Sequence, residues 1–320
     1  MSIINLIFQV NYAVFAVFAS LLITEIMGSV LLLLFYKETR SKVLGYIVPI
    51  WEVTGTFGAF WVVTGDFAYP ALLVPVAKIF AALLTVFLIL FVARNTSIVF
   101  AEFIIKRRWL DEVKLYKTYA VSTIALGIAV LVLLSALVSG AGINLEAGSF
   151  AIEGWATSIG SWLFVIGTLG IGIGMAPVFY SLEPLKKIVL PFTIGGIALS
   201  VLGYFSFSTT FISAWMIVPV VLTLIAGLLF FSKNTLPIVT NKAVFITVLS
   251  VIIFSLQFVV YPTLLGGAVR VDAVTTKGPM ADSFLAITVV GGVLLAAMLA
   301  VYMQVATRAR KLEKPAEIRR

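Results

Sequence analysis

Five ionisable side chains interrupt long apolar stretches of this 320-residue chain: Glu25, Glu52, Lys78, Arg94 and Glu102. A charge in hydrocarbon is costly unless it is paired, neutralised or led to the interface, so these positions are where chemistry is to be sought. Glu25 and Glu52 have two open readings: protonated acids in a proton path, or carboxylate partners of Arg94 and Lys78 in a buried network. Arg94 and Glu102 have the further option of reaching the interface by snorkelling. For Lys78, snorkelling toward the outer face stands level with buried pairing. Glu52 is less free to escape. It lies ten positions beyond Lys42, about 15 Å along a helix at 1.5 Å per residue, which is deep for a head-group contact.

Other chemistries are closed to the chain. It contains no cysteine and no histidine, which removes disulfides, thiolate sites, a cysteine nucleophile and the commonest ligand for haem or metal. No phosphate loop, catalytic triad or cluster of metal ligands is present, so the expectation is no metal, no haem ligand and no catalytic residue in this chain. It is not read as an enzyme by itself.

The elements that carry these residues follow from composition. Hydrophobic residues make up 62% of the chain and charged residues 11%, against roughly 45–50% and 25% in soluble domains. The fold class is therefore an all-α membrane protein. Apolar runs of about 20 residues place nine transmembrane helices near 10–36, 43–65, 69–93, 116–140, 155–181, 187–207, 211–232, 242–264 and 284–306. The chain forms one integral membrane domain, with helices 1–4 over about 10–140, helices 5–8 over about 155–264, helix 9 near 284–306 and a basic tail over 307–320.

Charge orients the helices. Of the 22 basic residues, 18 fall on one side: Lys37, Arg40 and Lys42; Lys106, Arg107, Arg108, Lys114 and Lys117; Lys186 and Lys187; Lys233 and Lys242; and six in the tail. The opposite loops hold Arg270 and Lys277 with Asp66, Glu146, Glu153, Asp272 and Asp282. The positive-inside rule then puts the amino terminus outside and the carboxy terminus in the cytoplasm. The net charge of +8 is thus a membrane-surface feature, with anionic lipid rather than nucleic acid as its counterpart. Met1 to Asn11 lacks a basic segment, so no cleavable leader is expected.

Phe35-Tyr36-Lys37-Glu38 precedes one basic cluster and Phe179-Tyr180-Ser181-Leu182-Glu183 another, four helices later. This echo implies two parallel four-helix bundles plus one extra helix. Within helix 5, Gly170 and Gly174 have the small-xxx-small spacing of close helix packing. Pro177, Pro191, Pro219 and Pro262 are candidate kink positions.

Helices 2 and 3 carry a more specific pattern. Pro49-Ile50-Trp51-Glu52, a run to Phe67-Ala68-Tyr69-Pro70, and an apolar helix ending in Phe91-Val92-Ala93-Arg94 resemble subunit II of cytochrome bd-type quinol oxidases. That family has a Trp-Asp-Gly-Asn motif at the Trp51 position, a later aromatic-Pro, and an Arg spaced as Arg94 is from Trp51. The match is ungapped over these 44 residues. Thr24-Glu25 with Gly28, and Tyr261-Pro262 at the end of helix 8, resemble further family features. Glu52 replaces the motif Asp and Val53-Thr54 its Gly-Asn, the pattern of a divergent member.

The resemblance implies a role in a respiratory chain of a prokaryotic plasma membrane. The complex would oxidise membrane quinol and reduce oxygen to water, with haems b and d in a partner subunit I and this chain as its haem-free second subunit in a heterodimer. It further implies a proton path through Glu52 and Glu25, and a role for Arg94 as buried charge partner or as contact to a bound lipid or quinone. Trp51, Lys78 and Glu102 complete the motif and its buried charge partners. The competing reading, from the repeat and the helix interruptions, is a multi-spanning secondary transporter with Glu25, Glu52 and Lys78 in its substrate path.

Overall fold

A computed structural model describes residues 3–104, 111–207, 217, 220–225, 241–257 and 263–317. In lipid every backbone N–H and C=O must be satisfied within the chain, and helices do so locally. The described residues obey this rule: α1 (Ile3–Leu34), α2 (Tyr36–Ala68), α3 (Pro70–Ile79), α4 (Ala81–Phe103), α5 (Glu112–Ser139), the short α6 (Ile152–Ala156), α7 (Ile159–Phe179), α8 (Val189–Phe207), α9 (Lys242–Ser255), the short α10 (Val271–Val274) and α11 (Pro279–Glu317). Among the described residues seven helices are long and apolar enough to cross a membrane. The chain is a multi-pass membrane protein.

Several boundaries differ from the sequence reading for local reasons. The segment with Lys37, Arg40 and Lys42 is helical, because only Phe35 separates α1 from α2. Phe35 makes the corner with φ −135° and ψ 46°, and Thr39 closes it by donating from its hydroxyl to the carbonyls of Leu31 and Phe35 at 3.2 and 2.8 Å. The third expected span is two helices. Pro75 lacks the N–H of its turn, and Phe80 bends the chain with φ −98° and ψ 17°. The Phe80 ring is fully buried and stacks at a tilt on Phe150, with centroids 4.9 Å apart.

Phe150 belongs to a hairpin of β1 (Ile143–Asn144) and β2 (Ser149–Phe150). Gly140 starts this excursion in the left-handed conformation with φ +75°. A second hairpin, β3 (Thr263–Leu264) with β4 (Val269–Arg270), has the same four-residue turn, and each hairpin leads into a short helix, α6 or α10. The turn of the second hairpin docks on the end of α5: Leu265 N–H donates to Leu137 O at 2.7 Å and Gly266 N–H to Val138 O at 3.2 Å. Thr263 and Leu264 are strand, so the eighth expected helix stops short of 264. The last helix begins at Pro279 and continues through most of the basic tail to Glu317. Of the span expected over 211–232, residues 217 and 220–225 are described and are helical. Lys106, Arg107, Arg108, Lys233, Pro219, Tyr261, Pro262, Arg319 and Arg320 lie outside the described residues.

The core is organised around α1, which packs against α2, α5, α7, α9 and α11. The most apolar stretch of α1 is 56% buried, whereas those of α4 and α11 are 17% and 11% buried. Tyr46, Tyr119 and Tyr180 join Leu21, Leu32, Ile47, Ile50 and Ile98 in the central cluster. α7 and α8 approach almost backbone to backbone. A Cβ on Gly196 would lie 2.6 Å from Ile171 N, and one on Gly203 2.4 Å from Phe164 N. This is close packing by small residues, which substitutes in lipid for the missing hydrophobic drive between helices.

Candidate functional site

Because α1 is enclosed by its neighbours, a polar residue in its middle has no solvent to turn to. Asn11, Ser20, Thr24, Glu25 and Ser29 are all buried on this helix, Glu25 with 0% exposure. Each needs a partner or costs the fold its desolvation.

Glu25 finds two. Arg94, brought from α4 and 2% exposed, donates from Nη2 to Glu25 Oε2 in a short charge-assisted contact. Tyr119, on α5, donates its hydroxyl to the same oxygen at 2.6 Å. The guanidinium also lies 5.4 Å from the Tyr119 ring centroid, and its Nη1 donates to Asn95 Oδ1 at 2.8 Å. Glu25 Oε1 and Arg94 Nε make no hydrogen bond among the described residues. The centre is therefore an ion pair with one free acceptor and one free donor, held by three helices.

A second polar group stands toward the end of α4. Glu102 is half-buried and accepts a short hydrogen bond from the Tyr116 hydroxyl. Tyr116 is one helical turn from Tyr119 on the same face of α5. Beyond them Arg40 and Glu112 form an exposed ion pair at 2.5 Å. Ser29, a turn along α1 from Glu25, and Tyr36 keep buried hydroxyls with no partner among the described residues. Glu102 and Tyr116 thus pair an acid and a hydroxyl at the end of α4 and the start of α5.

The other residues singled out from the sequence go elsewhere. Glu52 is exposed on the outer face of α2, with Thr56 exposed one turn on, while Trp51 is half-buried. Lys78, for which snorkelling and buried pairing stood level, is exposed at the end of α3. It lies beside the first hairpin, where a Cβ on Gly148 would come 3.6 Å from its Nζ; four methylenes carry its ammonium out of the apolar layer. Glu25, Glu52 and Lys78 therefore do not converge on one path. Tyr119 was missed in the sequence, although a tyrosine two turns inside an apolar helix is a hydroxyl needing a partner wherever it is buried. Between α2 and α4 a cleft is lined by Phe18, Leu22, Thr54, Gly55, Phe87, Phe91, Arg94 and Leu126.

No family model and no curated protein matches the sequence. Among solved structures, a chain of the bd oxidase from Geobacillus thermodenitrificans superposes with a TM-score of 0.70, covering 95% of this chain and 98% of that one at 16% identity. The fold is bd-oxidase-like. At this identity the likeness describes the path of the backbone, and the chemistry must be argued from the side chains above.

Proposed function

We propose that this chain is the haem-free second subunit of a cytochrome bd-type quinol oxidase, and that it delivers protons from the cytoplasm toward the oxygen-reducing centre of its partner. The observation that carries the proposal is the bd-oxidase-like fold along nearly the whole chain, with a buried acid on its central helix. The trace of the motif in helices 2 and 3 supports it independently.

Haem in the partner subunit supplies the redox chemistry, in which two quinols give four electrons and oxygen becomes two waters with four protons from the cytoplasm. A chain without histidine suits a haem-free place beside such a partner. Its own residues hold and pass protons. Glu102 and Tyr116 receive them near the end of α4 and the start of α5; Glu25, with a free Oε1, takes one while Arg94 and Tyr119 keep hold of Oε2. Arg94 stabilises the ionised carboxylate between transfers. Glu52 faces outward at mid-span, where lipid would penalise it, and so serves where the partner covers α2.

The test is purification of the tagged chain in mild detergent from its native host, with a reduced-minus-oxidised optical spectrum and identification of co-purifying proteins. The expected result is haem bands with a histidine-bearing membrane partner. A colourless chain isolated alone, from membranes shown to retain their haem proteins, overturns the proposal.

A further inference from the structure

The ammonium of the half-buried Lys242 lies over three aromatic rings. This lysine stands in the first turn of α9, whose start is fixed by Asn241 Oδ1 accepting from Ala243 N–H at 2.9 Å. Its Nζ lies 4.4 Å from the ring centroid of Phe179, 4.5 Å from Tyr46 and 4.8 Å from Tyr180. Three rings from α2 and the end of α7 therefore present their faces to one ammonium. They also hold one another: Tyr46 and Phe179 meet edge to face at 4.7 Å and 84°, and Phe179 and Tyr180 at 4.9 Å and 84°.

The cage has a second end. Tyr46 hydroxyl and Thr24 Oγ1 are hydrogen-bonded at 2.9 Å, and Tyr180 donates its hydroxyl to the Thr24 carbonyl at 2.8 Å. Both phenols thus grip one residue, and that residue directly precedes Glu25 on α1. Gly28 makes room for this grip, since a Cβ there would lie 2.4 Å from the Tyr180 hydroxyl. A cation over an aromatic face is attracted to it, and Lys242 is half-buried against these rings. Tyr46 and Tyr180 are 0% and 1% exposed.

We propose that Lys242 is a positioning residue for Glu25: its ammonium fixes the Tyr46, Phe179 and Tyr180 rings, and the two phenols hold the turn of α1 that presents Glu25 to Arg94 and Tyr119. The latch ties α1 and α2 to α7 and α9. Its importance for proton delivery rests on the oxidase reading above; the latch itself does not.

The test is hydrogen exchange by mass spectrometry on the purified, complete chain in its native complex. Lys242→Met is expected to speed exchange of the amides over 24–30 and 44–48 by about tenfold, the loss of its cation–π contacts, with α4 and the start of α5 unchanged. Lys242→Arg restores most of the protection. Tyr180→Phe keeps the ring and loses the hydroxyl, so it speeds exchange over 24–30 while α9 stays protected. In turnover assays Lys242→Met slows the complex, and adding it to Glu25→Gln slows it no further. An exchange pattern unchanged in Lys242→Met, or raised uniformly along the chain, overturns the proposal. A localised exchange effect in a preparation without oxidase activity would instead leave the latch standing and overturn the oxidase reading.

Discussion

Replacing Arg94 with methionine preserves the length of the side chain and deletes the charge that faces Glu25 Oε2. Glu25 then keeps one described partner, the Tyr119 hydroxyl at 2.6 Å, while its carboxylate stays at 0% exposure on the central helix. Removing one member of a buried ion pair costs about 3–5 kcal/mol, because the other charge remains desolvated and uncompensated. A variant lacking both charges escapes most of that penalty. Arg94→Met is therefore expected to cost about 3–5 kcal/mol, and Arg94→Met with Glu25→Leu at least about 2 kcal/mol less than Arg94→Met alone. Reversible unfolding in mixed micelles, followed by helix content or by steric trapping, gives both numbers. A cost below about 1 kcal/mol for Arg94→Met, or simple addition of the two single effects, would refute the account of Glu25 and Arg94 as a tight buried pair.

Three further outcomes are expected. Gly196→Ala places a methyl 2.6 Å from Ile171 N and should cost about 1–3 kcal/mol by overpacking, whereas Gly195→Ala, with nothing within 4 Å of its Cβ, should be neutral or stabilising in the same unfolding assay. Glu52→Leu should leave the folding of the chain within about 0.5 kcal/mol, since the side chain is exposed, yet lower the yield of partner in co-purification; undiminished yield would remove Glu52 from the interface. Because the chain has no cysteine, single cysteines report sidedness without background. Glu146→Cys should react with an impermeant maleimide from outside intact cells and Lys187→Cys only after the membrane is opened, and the reverse pattern would invert the topology.

Composition and spacing made the membrane class legible because hydrocarbon imposes a constraint that acts along the chain: about 20 apolar residues per crossing, with basic residues held to one side. Glu25 and Arg94 were legible for the same reason, as charges where charge is costly. Their partnership was not, since 69 positions separate them and lipid-compatible helices carry little pattern to say which faces meet. Local hydrogen bonding chose the helix ends: Thr39 closing the corner at Phe35, Pro75 loosening α3, and Gly140 launching the first hairpin.

Which charges are buried was decided by tertiary structure alone. Glu25 and Glu52 look alike in sequence, each an acid inside an apolar run, yet enclosure of α1 by five other helices buries the first while the outer face of α2 exposes the second. Lys78 has reach enough to leave the apolar layer, whereas the ammonium of Lys242 lies over three rings drawn from two other segments of the chain. The sequence by itself determined the solvent of this protein and the kinds of residue able to carry charge through it. The packing of α1 determined which of them meet, because burial and partnership depend on neighbours far away along the chain.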